Sequence, residues 1–135
     1  MIGLDTGFFV ELLLGNPAAV AVWRELVDGT AEGSVSCMSL FEIERLGLRG
    51  AISDHQTLLD GIPAVCNVHW IYNPEILSAA AGLSHGLGIP AVDSLILAAF
   101  LAAGARTIYT SDPHLETYRK KGVKIVNLRK GGGMG

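Results

Sequence analysis

The sequence predicts an α/β fold, a parallel sheet carrying helices on both faces. Two observations predict it. Short, apolar, strand-like runs alternate with helical patterns along the whole chain, which favours a parallel sheet joined by right-handed crossovers. The first run also ends on a carboxylate, Asp5, just where a helical pattern begins. That places an acid at the carboxyl end of a strand, the edge where open α/β sheets bind ligands.

Each element has a local reason. Residues 1–5 form the first strand, and a helix over 6–14 follows, with Phe8, Phe9, Leu12 and Leu13 as its apolar side. Gly15-Asn16-Pro17 breaks it, and Pro17 suits the first turn of a helix over 17–28. Asp28-Gly29-Thr30 ends that helix, and residues 34–38 are the second strand. Ser39 and Glu42 have the spacing of a capping box and open a helix to about Leu48. A helix over 53–60 begins at Ser53 or Asp54. Residues 64–72, with Val65, Val68, Trp70 and Tyr72, read as a strand. Asn73-Pro74 starts a helix to 85.

The Gly86–Pro90 stretch is a turn, because no strand feeds it and no Lys-Ser/Thr follows as a phosphate cradle requires. Residues 93–103 are almost wholly apolar and predict a buried helix closed by Gly104. Residues 107–110 form a buried strand. Ser111-Asp112-Pro113 leads into a helix over 113–121, and 124–128 is the last strand. Residues 1–128 then make one domain, and 129–135 a flexible Gly-rich tail, a frayed end or cloning remnant.

Composition narrows the class. The 135 residues are half apolar, and the mean hydropathy is +0.41. This suits a folded domain with a partner surface. No apolar run reaches the roughly 18 residues that span a bilayer, and the N-terminus lacks the basic region of a signal peptide. Cys37 and Cys66 read as buried thiols of a reducing cytoplasm. His55, His69 and His85 have no ligand spacing, so each reads as a surface or core residue; His114, just past Asp112, reads as a surface residue at a helix start that could touch a phosphate. The net charge is −3, yet six of the ten basic residues lie late in the chain: Arg119, Lys120, Lys121, Lys124, Arg129 and Lys130. Such a run is either a solvated face or a contact for a polyanion.

Four acids stand at strand ends or helix starts: Asp5, Glu42, Asp93 and Asp112. Each has a structural use as a helix cap. Jointly, caps explain less, because parallel strands deliver these residues to one edge. Two like charges about 5 Å apart at an effective dielectric near 20 repel by roughly 3 kcal/mol. Either some acids stay protonated or a cation sits among them. An all-oxygen donor set suits Mg²⁺ or Mn²⁺, not Zn²⁺, and such ions serve phosphodiester hydrolysis.

Leu4-Asp5-Thr6, residues 36–42, Asp93-Ser-Leu-Ile-Leu-Ala98 and Thr110-Ser-Asp112 resemble the PIN-domain nucleases, most closely the VapC-type toxins of toxin–antitoxin pairs. The resemblance covers nearly the whole chain. It implies a PIN-like fold and a Mg²⁺- or Mn²⁺-dependent endoribonuclease acting on RNA, with Asp5, Glu42, Asp93 and Asp112 as catalytic acids. Asp5, Asp93 and Asp112 fall on metal-binding positions, and Thr6, Ser39 and Thr110 on supporting hydroxyl positions. It also implies a cognate antitoxin, a cytoplasmic homodimer, and a dimer face in which part of the Phe8/Phe9/Leu12/Leu13 cluster, core by default, joins the 17–28 helix. RNA processing without an antitoxin, or a non-catalytic PIN-like interaction domain, fits the same residues.

The pattern departs from the family in two places. Ile96-Leu97-Ala98 replaces the usual Ile-Ala-Ala, which touches packing alone. Gly47 lies five residues after Glu42 and three after Glu44, which opens a register question. The two glutamates point about 200° apart on a helix, so one of them faces the site; the spacing from Ser36 favours Glu42. Glu116 is a further supporting acid, and Arg45, Arg49, Arg119, Lys120 and Lys121 are candidate RNA contacts. A haloacid-dehalogenase-like phosphatase would want a second Asp at position 7, which is Gly. A receiver domain would want paired acids after the first strand and a late Lys that the Thr110 segment lacks.

Overall fold

In the computed structural model, which describes residues 1–129, five strands form one parallel sheet in the order β3-β2-β1-β4-β5. They are β1 (Ile2–Leu4), β2 (Gly33–Ser36), β3 (Asn67–His69), β4 (Thr107–Thr110) and β5 (Lys124–Asn127). Six α-helices connect them among the described residues: α1 (Thr6–Leu13), α2 (Pro17–Asp28), α3 (Cys37–Leu48), α4 (His55–Val65), α5 (Pro74–Leu87) and α6 (Ala91–Ala102). A 3₁₀ turn, Pro113–Thr117, leads from β4 toward β5.

Helices cover both faces. One core cluster joins Leu4 and Val35 to Phe8, Phe9, Val22, Leu26, Ile43, Leu58 and Ile62 of α1 to α4. The other joins Ile108 to Ile96, Leu97 and Phe100 of α6 and to Leu115. The chain steps from β1 to β2 and β3 on one side, then crosses to β4 and β5 on the other. The strand order therefore reverses between β1 and β4, where a crevice opens at the carboxyl edge. No single helix among the described residues is long and apolar enough to cross a membrane.

Several boundaries differ from the sequence reading, each for a packing or capping reason. The second strand ends at Ser36, whose Oγ accepts from the Met38 backbone N–H at 3.1 Å and caps α3. Ser39 and Glu42 are therefore not a capping box; both lie inside the helix. Helix α4 continues through Gly61 and Pro63 to Val65, because Leu58 and Ile62, four apart, both enter the core. The expected 64–72 strand shrinks to Asn67–His69. It pairs with Ser34, Val35 and Ser36 of the short β2, leaving Trp70 and Tyr72 exposed. The expected 113–121 helix is the 3₁₀ turn. Leu115 and Tyr118, three apart, pack on the same cluster, which suits three residues per turn.

Phe8 and Phe9 are fully buried and belong to the core, as their default reading has it. At the expected tail boundary, Arg129 is still tied in: its backbone N–H donates to Asn127 Oδ1 at 3.0 Å. The rest of the Gly-rich tail lies outside the described residues.

Gly3 shows how closely the second layer sits. A Cβ there would lie 2.9 Å from Phe100 Cγ and 3.1 Å from Ile108 Cγ1. Gly3→Ala is therefore expected to destabilise the chain by about 1–3 kcal/mol through overpacking. Urea unfolding of the two proteins measures it, and an unchanged midpoint would contradict the close approach.

Candidate metal centre

Asp5 follows β1 directly and caps α1. Its Oδ1 accepts from the Phe8 backbone N–H at 3.0 Å, and its Oδ2 accepts from the Thr110 hydroxyl. Thr110 ends β4 and is fully buried. The same hydroxyl accepts from the Asp112 backbone N–H at 2.8 Å. One side chain thus ties the end of β4 to both acids. Gly7 makes this approach possible: a Cβ there would meet Ser111 Oγ at 2.2 Å and the Ser111 backbone N at 2.9 Å.

Glu42 arrives from α3. The Thr6 hydroxyl, at the start of α1, donates to Glu42 Oε1 at 2.6 Å and lies 3.1 Å from Ser39 Oγ. A hydroxyl has one proton; the closer carboxylate takes it, and buried Ser39 donates back to Thr6. Glu44, two residues on, is exposed. Of the two, it is Glu42 that adds to the charge around Asp5 and Asp93.

Asp93 is the third residue of α6, which starts after Pro90 without a side-chain cap. Capping therefore does not account for it. Its carboxyl shares a hydrogen bond with Asp112. Burial first, then Asp112, Glu42 and Asp5, push Asp93 up to about 7. Burial also pushes Asp5 up to about 7 against the Thr110 and Phe8 hydrogen bonds, with Asp112 and Glu42 adding to the rise. Asp112 goes the other way. Burial raises it, but the His114 backbone N–H, the proton shared from Asp93 and the His114 ring outweigh that and lower it.

The four acids therefore feel one another at the β1/β4 crevice. Glu116 stands further along the chain. Its Oε2 accepts from Asn127 Nδ2 at 3.2 Å, and it lines a hollow of about 520 Å³ with Tyr118, Arg119, Lys120 and Lys121. These basic residues do not join the acids. Val123 N–H donates to the Lys120 carbonyl and Lys124 N–H to the Arg106 carbonyl. Lys124 pairs with Thr107, the first residue of β4. The basic run thus sits by the amino edge of the sheet. Arg45 on α3 and Arg49, which caps its end, are exposed, three and seven residues past Glu42 and so on its side of the helix.

The sequence reading put His114 at the surface, within reach of a phosphate, and did not count it among the groups that crowd the acids. Its Nδ1 lies 2.8 Å from Asp112 Oδ1, and ligand atoms of Asp93, Asp112 and His114 all fall within 4.8 Å of one another. The available signal was its place two residues after an acid that caps its own turn. An imidazole nitrogen therefore stands beside the carboxylate oxygens. The cluster fits a divalent cation, because like charge gathered at a half-buried edge is what such an ion relieves.

Comparison with known proteins agrees with the topology. The profile of the PIN domain matches residues 2–121. A toxin–antitoxin complex from Klebsiella pneumoniae superposes with a TM-score of 0.68 at 14% identity, over 95% of this chain and 98% of that one. VapBC2 from Rickettsia felis, bound to a DNA fragment from its promoter, gives a TM-score of 0.68 at 19% identity, over 93% and 97%. At such identities the likeness is one of fold. No curated protein matches the sequence.

The raised acids make stability depend on pH. Asp5 and Asp93 move from an ordinary 3.8 to about 7 on folding, so the folded chain binds protons more readily. Their favourable contribution is complete below about 4 and is lost as pH rises through about 7. Asparagine at 93 cannot acquire that charge. Melting curves in EDTA should show Asp93→Asn gaining on the wild type between pH 4 and pH 8. A constant difference between the two would contradict the crowding of charge.

Proposed function

The chain belongs to the PIN domain family, and on that premise we propose that it is a Mg²⁺- or Mn²⁺-dependent endoribonuclease, the toxin of a toxin–antitoxin pair. The observation that carries the reading is the meeting of Asp5, Glu42, Asp93 and Asp112 at one sheet edge, where burial and mutual repulsion hold Asp5 and Asp93 near 7. Residues 1–128 act as one nuclease domain.

Asp5, Asp93 and Asp112 would hold the cation, with Glu42 at its edge. Bound there, such an ion polarises a phosphoryl oxygen and acidifies water. Glu42, aimed by the Thr6 hydroxyl and backed by Ser39, orients the attacking water and takes its proton. Thr110 keeps Asp5 and Asp112 in register, and Glu116 supports the site's flank through Asn127. In-line attack leaves 5′-phosphate and 3′-hydroxyl ends. Arg45 and Arg49 hold the RNA backbone beside Glu42, whereas Arg119, Lys120 and Lys121 would meet only RNA that passes to the other edge.

The partners follow from the same reading. The Klebsiella pneumoniae neighbour is a toxin–antitoxin complex, which supports a cognate antitoxin here. Exposed Leu13 and Leu14, beside an apolar cleft of about 550 Å³ lined by Leu12, Trp23 and Leu58, offer surface for it and for a second copy in a homodimer. The free thiols Cys37 and Cys66 suit a cytoplasmic location.

Wild-type protein with Mn²⁺ should cleave single-stranded RNA, and EDTA should stop it. Asp93→Asn should lose more than about 100-fold in rate, beyond the usual loss at a residue that merely supports a ligand, with an unchanged circular dichroism spectrum. Glu44→Gln should retain the wild-type rate. Cleavage that survives EDTA, or full activity in Asp93→Asn, would overturn the reading.

A further inference from the structure

We infer that His114 is a nitrogen ligand of the divalent cation at this centre, and that it biases the site toward Mn²⁺ over Mg²⁺. The inference rests on the metal-dependent reading above and adds a donor of a different chemical class to it.

Distance carries the first part. Donors of a small divalent ion lie about 2.1 Å from it, so neighbouring donors in an octahedral shell are about 3 Å apart and opposite ones about 4.2 Å apart. His114 Nδ1 and Asp112 Oδ1 are 2.8 Å apart, close to one edge of such a shell. With a ligand atom of Asp93 included, the set stays within 4.8 Å, slightly wider than that shell, so a small side-chain rotation brings all three onto one ion. The imidazole brings one lone pair, and the proton that bridges Nδ1 and Asp112 moves to Nε2 by a change of tautomer, freeing Nδ1 for the ion.

The backbone carries the second part. Asp112 Oδ1 also accepts from the His114 backbone N–H at 2.9 Å. Pro113 restricts the residue between them, and the next residue, Leu115, is fully buried in the second core cluster. The ring is therefore held beside the carboxylate from two sides, although 57% of its side-chain surface is exposed. That exposure leaves it open to a hydrated ion arriving from solvent.

Chemistry carries the preference. Carboxylates suit Mg²⁺ and Mn²⁺ alike, whereas an imidazole favours later transition metals and is a poor exchange for water on Mg²⁺. One nitrogen donor among oxygens thus separates two ions that an all-carboxylate site treats more nearly alike.

The test is pulsed electron paramagnetic resonance on Mn²⁺-loaded wild type and His114→Gln, with Mn²⁺ and Mg²⁺ affinities from calorimetry. Glutamine keeps a donor for Asp112 but has no imidazole, and the exposed position leaves the fold untouched. Wild type should show coupling from a directly bound ¹⁴N, which His114→Gln lacks. The variant should lose about 10-fold or more in Mn²⁺ affinity and clearly less in Mg²⁺ affinity. Bound Mn²⁺ without ¹⁴N coupling in wild type, or equal losses for both ions, overturns the ligand and leaves the metal-dependent reading standing. Failure of wild type to bind either ion overturns both.

Discussion

The Thr110 hydroxyl is the interaction on which the acidic edge depends. Its proton goes to Asp5 and its lone pair receives the Asp112 backbone N–H. It is fully buried, so water cannot replace either bond. A hydroxyl that donates on one side and accepts on the other can tie two acids without adding charge. An amine would neutralise them, and a third carboxylate would push them apart. Thr6 does similar work on the other flank, joining the start of α1 to Glu42 and Ser39 of α3.

Parallel pairing supplies the reason these groups meet. β1 and β4 are neighbours in register, Ile2 with Thr107 and Leu4 with Tyr109, so the residues that follow each strand emerge side by side. Glycine then sets how near they come. Gly3 lets Phe100 press on the sheet, and Gly7 lets the first turn of α1 lie against Ser111. A side chain at either position would be felt as a shift of the layer that carries Asp93 or Asp112. Closeness at the centre is thus a property of main-chain packing, and the carboxylates inherit it.

Asp5, Glu42, Asp93 and Asp112 gather at the carboxyl edge, while Lys120, Lys121, Lys124 and Arg106 collect by the amino edge. The basic run therefore does not neutralise the acidic cluster. Within the cluster, the raised Asp93 and the lowered Asp112 share a proton, which is the cheapest way for two carboxyls to stay in contact without a cation.

Much of this was legible in the residues alone, and the part that was legible is local. Apolar periodicity, Asn16-Pro17, Asn73-Pro74 and the glycines after α2 and α5 are nearest-neighbour signals, so element order and the four spaced acids could be read without knowing any contact. Where two local signals competed, packing decided. Ser36 and not Ser39 caps α3, α4 runs through Pro63, and Leu115 with Tyr118 draws residues 113–117 into a 3₁₀ turn. The choice of Glu42 over Glu44 beside Asp5, the approach of His114 to Asp112 and the removal of residues 119–121 to the far edge belong to tertiary structure alone. The sequence determined which groups carry charge, because that is covalent; only the fold decided which charges share a space, because those distances are set by contacts between residues up to 105 positions apart.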